Sequence, residues 1–136
     1  MKAAIIGSRN LMVSDLGKYL PKNTTEIVSG GARGVDYCAK EYAVKNGLIL
    51  TEFLPEYNKY GRCAPLKRNL LIINYADEVY AFWDGKSKGT KFVIDQCKKR
   101  AKIFMFLLKS NQIITYKKRR RNGVFFSCQN WPLFGS

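Results

Sequence analysis

The amino-acid sequence predicts an α/β domain built on a doubly wound, parallel sheet of about five strands. Three observations carry this. Short apolar runs alternate with helix-period segments over the first 108 residues. The runs at 78–82 and 103–108 are uninterrupted, as strands buried on both faces are. Several runs end in glycine-rich loops that lead into the next helix, and strand–helix alternation implies right-handed crossovers and a parallel sheet.

The first strand is 3–6, ending at Gly7. A helix is expected over 12–20, stopped by Pro21, followed by a strand at Glu26-Ile27-Val28 that runs into Ser29-Gly30-Gly31. A second helix covers about 35–46, with Asn46-Gly47 as a left-handed C-cap signal. The third strand is 48–53. A loop from Leu54 to Ala64 follows, and Pro65 is suited to the first position of a third helix, Pro65 to Tyr75. The fourth strand is 78–82, the fourth helix runs from Gly89-Thr90 to about Lys102, and the fifth strand is 103–108.

Beyond this domain, 1–108, lies a basic C-terminal extension, 109–136. There Asn122-Gly123 separates two apolar runs, Ile113–Tyr116 and Val124–Phe126, a short-range hairpin signal. The extension reads either as a basic hairpin or as a frayed tail. No internal repeat is evident.

The net charge of +14 is unevenly spread. Residues 1–97 carry 14 Lys/Arg against 10 Asp/Glu, whereas 98–136 carry 10 basic residues and no acidic one. The excess belongs mostly to the C-terminal end from residue 98 onward, where it is a candidate nucleic-acid or membrane-surface patch or a solubilising tail. The four cysteines, Cys38, Cys63, Cys97 and Cys128, form no CxxC pair, so reduced thiols are expected rather than a zinc site. The chain has no histidine, which removes Ser-His-Asp and Cys-His catalysis and His-dependent metal sites. No cofactor and no metal are expected. No stretch reaches the roughly 18 apolar residues of a membrane span, and no signal-peptide pattern opens the chain, so a cytoplasmic protein is expected.

Ligands of an open parallel sheet bind outside the carboxyl ends of its strands. Glycine admits positive φ and close backbone approach, and a helix start presents unpaired amides, so phosphate is the expected guest. Three loops offer this chemistry: Gly7-Ser8-Arg9, Ser29-Gly30-Gly31-Ala32-Arg33-Gly34 and Ser87-Lys88-Gly89-Thr90. Ser8, Ser29, Ser87 and Thr90 add hydroxyls, and Arg9 a charge. One such loop is as readily a tight turn; three on one sheet edge favour a nucleotide-type ligand.

These loops, with Asp36, Arg68-Asn69 on the third helix, and Ala76-Asp77 followed by Ala81-Phe82-Trp83-Asp84-Gly85-Lys86-Ser87-Lys88-Gly89-Thr90, resemble the SLOG superfamily over about residues 1–105. The likeness is greatest to its YspA/cpYpsA-type branch, related to DprA and to the LOG phosphoribohydrolases. The resemblance implies a Rossmann-like fold that binds nucleotides or their derivatives as a sensor, carrier or sequestering protein in nucleotide signalling. It also implies a homodimer, formed through the third helix. Two alternatives come with it: a nucleotide N-glycosidase of the LOG kind, or a DprA-like DNA-associated module using the basic tail. LOG enzymes pair an arginine, matched by Arg68, with a glutamate just after the final Gly-Thr. Here Lys91, Phe92 and Val93 stand instead, leaving Asp36, Asp84 and Asp95 as substitutes and favouring binding without turnover.

Each residue also has a bland reading. Arg68 is either an exposed cation, a partner of Glu52 or Glu56, or, as favoured, a phosphate or ribose contact. Asp36 equally suits a helix N-terminus and a ribose. Asp84 is by default a turn residue before Gly85. Trp83 either stacks on a base or packs in the core. Tyr57 and Tyr60 are lid candidates on the long loop.

Overall fold

The computed structural model describes residues 1–100, 103–109, 112–117 and 127–132, with side chains described through Cys97. The strands are β1 (Lys2–Gly7), β2 (Glu26–Ser29), β3 (Ile49–Glu52), β4 (Glu78–Trp83), β5 (Ile103–Lys109), β6 (Gln112–Lys117) and β7 (Ser127–Pro132). The helices are α1 (Val35–Lys45), α2 (Tyr57–Tyr60), α3 (Ala64–Tyr75) and α4 (Lys88–Arg100). One sheet holds all seven strands in the order β3-β2-β1-β4-β5-β6-β7. The first five are parallel, and β6 and β7 continue the sheet antiparallel.

Strand alternation divides the core into two layers. Ala3, Ile5, Ile27, Tyr80 and Phe82 face one side, beneath Val35, Ala39 and Ala43 of α1 and the β1–β2 connection. Ala4, Ile6, Val28, Val79 and Ala81 face the other, beneath Ile72 and Ile73 of α3 and Val93, Ile94 and Cys97 of α4. The sheet is thus doubly wound, as the uninterrupted apolar strands require. Each large side chain so buried contributes about 1.5–3 kcal/mol.

The helix expected over 12–20 does not form. Only a single 3-10 turn, Leu16–Lys18, stands there, and Asp15 before it has the left-handed φ of 55°. Ser14, Asp15 and Gly17 are poor helix formers. Leu16 in that turn and Val13 and Leu20 in the irregular chain around it nevertheless reach the core, so apolar spacing was met without an α-helix. The loop 54–64 carries structure of its own, the single turn of α2 and a 3-10 turn at Gly61–Cys63.

β6 pairs with β7 over Gln112↔Pro132 to Lys117↔Ser127. The Asn122-Gly123 turn and the run 124–126 expected as the hairpin's second strand lie outside the described residues. Among the described residues no helix is long and apolar enough to cross a membrane.

The strand order places the site. From β1 the chain moves outward to β2 and β3, whereas from β4 it moves the opposite way to β5. The crevice between the carboxyl ends of β1 and β4 is the topological switch point, where doubly wound sheets take their ligands.

Candidate functional site

Three loops and one helix close around this crevice. After β1, the Ser8 amide donates to the Phe82 carbonyl at 3.1 Å, and the Ser8 hydroxyl accepts from the Asp84 amide at 3.2 Å. The first loop is thereby stitched to the loop after β4. Gly7 permits this contact, since a Cβ there would lie 2.5 Å from Val35 Cγ2 and 2.7 Å from the Phe82 carbonyl oxygen.

The loop after β2 turns through Gly31 at φ 70° and Gly34 at φ 74°. A Cβ on Gly34 would stand 2.5 Å from the Arg9 carbonyl oxygen, so the first two loops touch backbone to backbone. Ser29 is fully buried and its hydroxyl accepts from the Gly31 amide at 3.3 Å. It shapes the loop from beneath.

Arg68 reaches this loop from α3 and is 8% exposed. Its Nε donates to Asn69 Oδ1 at 2.9 Å and its Nη1 to the Gly30 carbonyl at 2.6 Å. Among the described residues no buried side-chain nitrogen or oxygen lacks a partner. Nη2, which has no protein partner there, is therefore the guanidinium edge that remains accessible. Burial lowers the Arg68 pKa and neighbouring Arg9 acts in the same direction, while Asp36 opposes them. Arginine nonetheless stays charged.

Asp36 begins the first turn of α1, 7% exposed, and accepts from the Ala32 amide at 3.2 Å. Burial pushes its carboxyl up to about 6, against the opposing pull of the Ala32 amide, Arg68 and Arg9. Opposite charges would ordinarily hold each other ionised. Here burial outweighs that attraction on both.

The loop after β4 is a tight turn organised by Asp84, whose Oδ1 accepts from the Lys86 and Ser87 amides at 2.8 Å each. Burial tends to raise this carboxyl, but these two amides and Ser8 hold it below its ordinary value. Gly85 takes φ 85°. The Ser87 hydroxyl lies 3.2 Å from that of Thr90 at the start of α4. The Trp83 indole donates to the Ser87 carbonyl at 3.0 Å and packs against the core of the α3–α4 side.

Together these groups enclose a cavity of about 450 Å3, within the range of small-molecule sites. Of the residues singled out in the sequence, Gly7, Ser8, Arg9, Gly30, Ala32, Asp36, Arg68, Asn69, Asp84, Ser87, Gly89 and Thr90 line it. Ser29, Gly34, Gly85 and Trp83 do not; they hold the loops in shape. Gly31 faces an adjoining cavity of about 400 Å3, which shares Arg9, Gly30, Ala32, Arg33 and Arg68 with the first and adds Leu54 and Pro55. Arg68 is neither exposed nor, among the described residues, ion-paired with Glu52 or Glu56.

The lining also includes Ile6, Asn10, Pro65 and Ile72, which were not expected, and Arg33 and Lys86, which belong to the quoted loops but were not singled out as contacts. Arg33 and Lys86 stand within the same glycine loops, so their charge was the available signal. Four cations, Arg9, Arg33, Arg68 and Lys86, face two carboxyls, Asp36 and Asp84. The charged groups of the lining therefore sum to a net positive balance. Lys91, where a LOG-type glutamate would stand, forms an ion pair with Asp95 at 3.9 Å, and Val93 is buried in the core. Neither turns a carboxylate into the cavity, and Asp95 is not among its lining. Among the described residues no cluster of His, Cys, Asp and Glu could hold a metal ion. No family model, no curated protein and no solved structure matches the chain.

Proposed function

We propose that this chain is a SLOG-type protein that binds a phosphate-bearing nucleotide or nucleotide derivative at the carboxyl edge of its parallel sheet. It acts by recognition, as a sensor, carrier or sequestering protein. One observation carries the reading: the nine-tenths-buried Arg68 presents a free guanidinium edge to a cavity walled by three glycine-bearing loops. Backbone amides at the starts of α1 and α4 supplement it, as they do at phosphate sites. Ordering ligand, loops and arginine together favours binding over chemistry, because Asp84 is occupied by the turn and only Asp36 is placed as an acid or base.

The test is thermal denaturation with a panel of nucleoside mono- and diphosphates, ADP-ribose and cyclic nucleotides. At least one raises the melting temperature, and Arg68→Ala removes a charge-assisted contact and with it about 2–3 kcal/mol of binding. Because Arg68 also packs within the fold, the exposed Lys86→Ala variant accompanies it and reduces the same shift less. No stabilisation by any of the panel would overturn the reading. Chromatography of the same mixtures decides the hydrolytic alternative, which requires free base in excess of an Arg68→Ala control.

A further inference from the structure

The two cavities meet at one wall. Arg68, Arg9, Arg33 and Gly30 face both, so three guanidinium groups lie between two chambers rather than at the end of one. A terminal phosphate needs cations at the blind end of a site. Cations placed at a waist suit a charge in the middle of a longer molecule.

The chambers differ in chemistry. The first contributes Lys86 and the α4 start, with hydroxyls of Ser8, Ser87 and Thr90. The second contributes only Gly31, Leu54 and Pro55 of its own, with no charged side chain. Leu54 is 64% exposed, an apolar surface on the rim. The Glu52 carboxylate lies just behind Gly31, with Oε2 2.7 Å from where a Cβ would project. A second phosphate would find no cation beyond the shared arginines there and a carboxylate close behind Gly31, whereas a neutral group would meet an apolar wall.

We propose that the ligand is a two-armed diphosphate diester: a nucleoside in the first chamber, the diphosphate at the Arg9–Arg33–Arg68 waist, and a neutral sugar-like arm against Leu54 and Pro55. The inference rests on the nucleotide reading above and narrows it. Gly30 keeps the waist open and Gly31 the second chamber. A Cβ on Gly30 would stand 2.6 Å from Arg68 Nη1, and one on Gly31 would stand 2.5 Å from Leu54 Cδ2.

Calorimetric titration of the full chain compares ADP, GDP and UDP with ADP-ribose, GDP-mannose and UDP-glucose. In at least one pair the sugar-bearing member binds about tenfold more tightly, the gain expected from covering a few tens of Å2 of apolar surface. Leu54→Ser, at an exposed position, removes that advantage and leaves the nucleoside diphosphate within about twofold, since its phosphates and base do not touch Leu54. Nucleoside diphosphates that bind as tightly as their sugar-bearing partners would overturn the two-armed ligand while leaving the nucleotide reading intact. So would a Leu54→Ser variant that keeps the advantage. Absence of binding by all six would overturn the two-armed ligand, and the nucleotide reading falls with it only if the monophosphates and cyclic nucleotides of the thermal panel also fail to stabilise the protein.

Discussion

Asp36 shows how a single residue records the burial of its surroundings. Its carboxyl stands at the start of α1, where the helix dipole and the Ala32 amide favour the ionised form, yet burial pushes its pKa up to about 6 from an ordinary 3.8. The folded state therefore holds this proton more tightly than the unfolded state does. The stability linked to it is fully present below about pH 4 and is lost as pH rises through 6, a change of about 3 kcal/mol. Asp36→Asn carries no such ionisation. Urea unfolding at pH 4.5 and 7.5 should show the native protein losing stability relative to Asp36→Asn across that interval; parallel pH profiles would contradict the assignment. Gly30 belongs to the same constellation, since the Arg68 guanidinium and the Asp36 carboxylate occupy the space a side chain would need. The sequence displayed that glycine as one of a pair in a loop, but not which of the two lies against the arginine. That distinction depends on α3 folding back over β2, which local sequence does not encode.

At the scale of elements, the strands were legible because burial on both faces makes them continuous apolar runs: 3–6, 78–82 and 103–108 fall within β1, β4 and β5. α1, α3 and α4 also lie where capping and periodicity put them. The 12–20 segment was misread because Val13, Leu16 and Leu20 satisfy helical spacing while the polar residues between them prefer turns. Tertiary packing supplied the order that α-helical hydrogen bonds did not. Trp83 was legible as a strand end but not as a structural clamp, since its partner, the Ser87 carbonyl, is a backbone group. The extension holds β6 and β7 in the common sheet, where β6 covers β5 from Phe104↔Lys117 to Lys109↔Gln112. Truncation after Leu108 would leave Ile103-Phe104-Met105-Phe106-Leu107-Leu108 as an open, apolar edge. The truncated chain should self-associate in light scattering, whereas neutralising Lys118–Arg121 with glutamine should not. A truncated chain that stays monomeric with an unchanged melting temperature would refute the strand-cover role. Substitution rather than truncation is accordingly the sound test of nucleic-acid affinity in this segment.

Across the whole molecule, the proposed function rests on where the winding reverses. Strands diverge at β1 and β4, and the glycine loops, helix starts and Arg68 gather over that division. The excess charge is arranged separately, with the cavity's cations drawn from the nearly balanced first 97 residues and the 10 unopposed basic residues lying after them. Small-molecule recognition and any electrostatic attraction to nucleic acid are thus separable by mutation and by salt, because surface attraction falls steeply with ionic strength. The central claim is that the three loops form one composite site. Hydrogen–deuterium exchange with the best-binding nucleotide of the thermal panel tests it most directly. Amides of 7–9, 30–34 and 86–90 should be protected together, and protection in all three should vanish with Arg68→Ala. Binding that protects one loop alone, or protects a surface away from all three, would contradict the account.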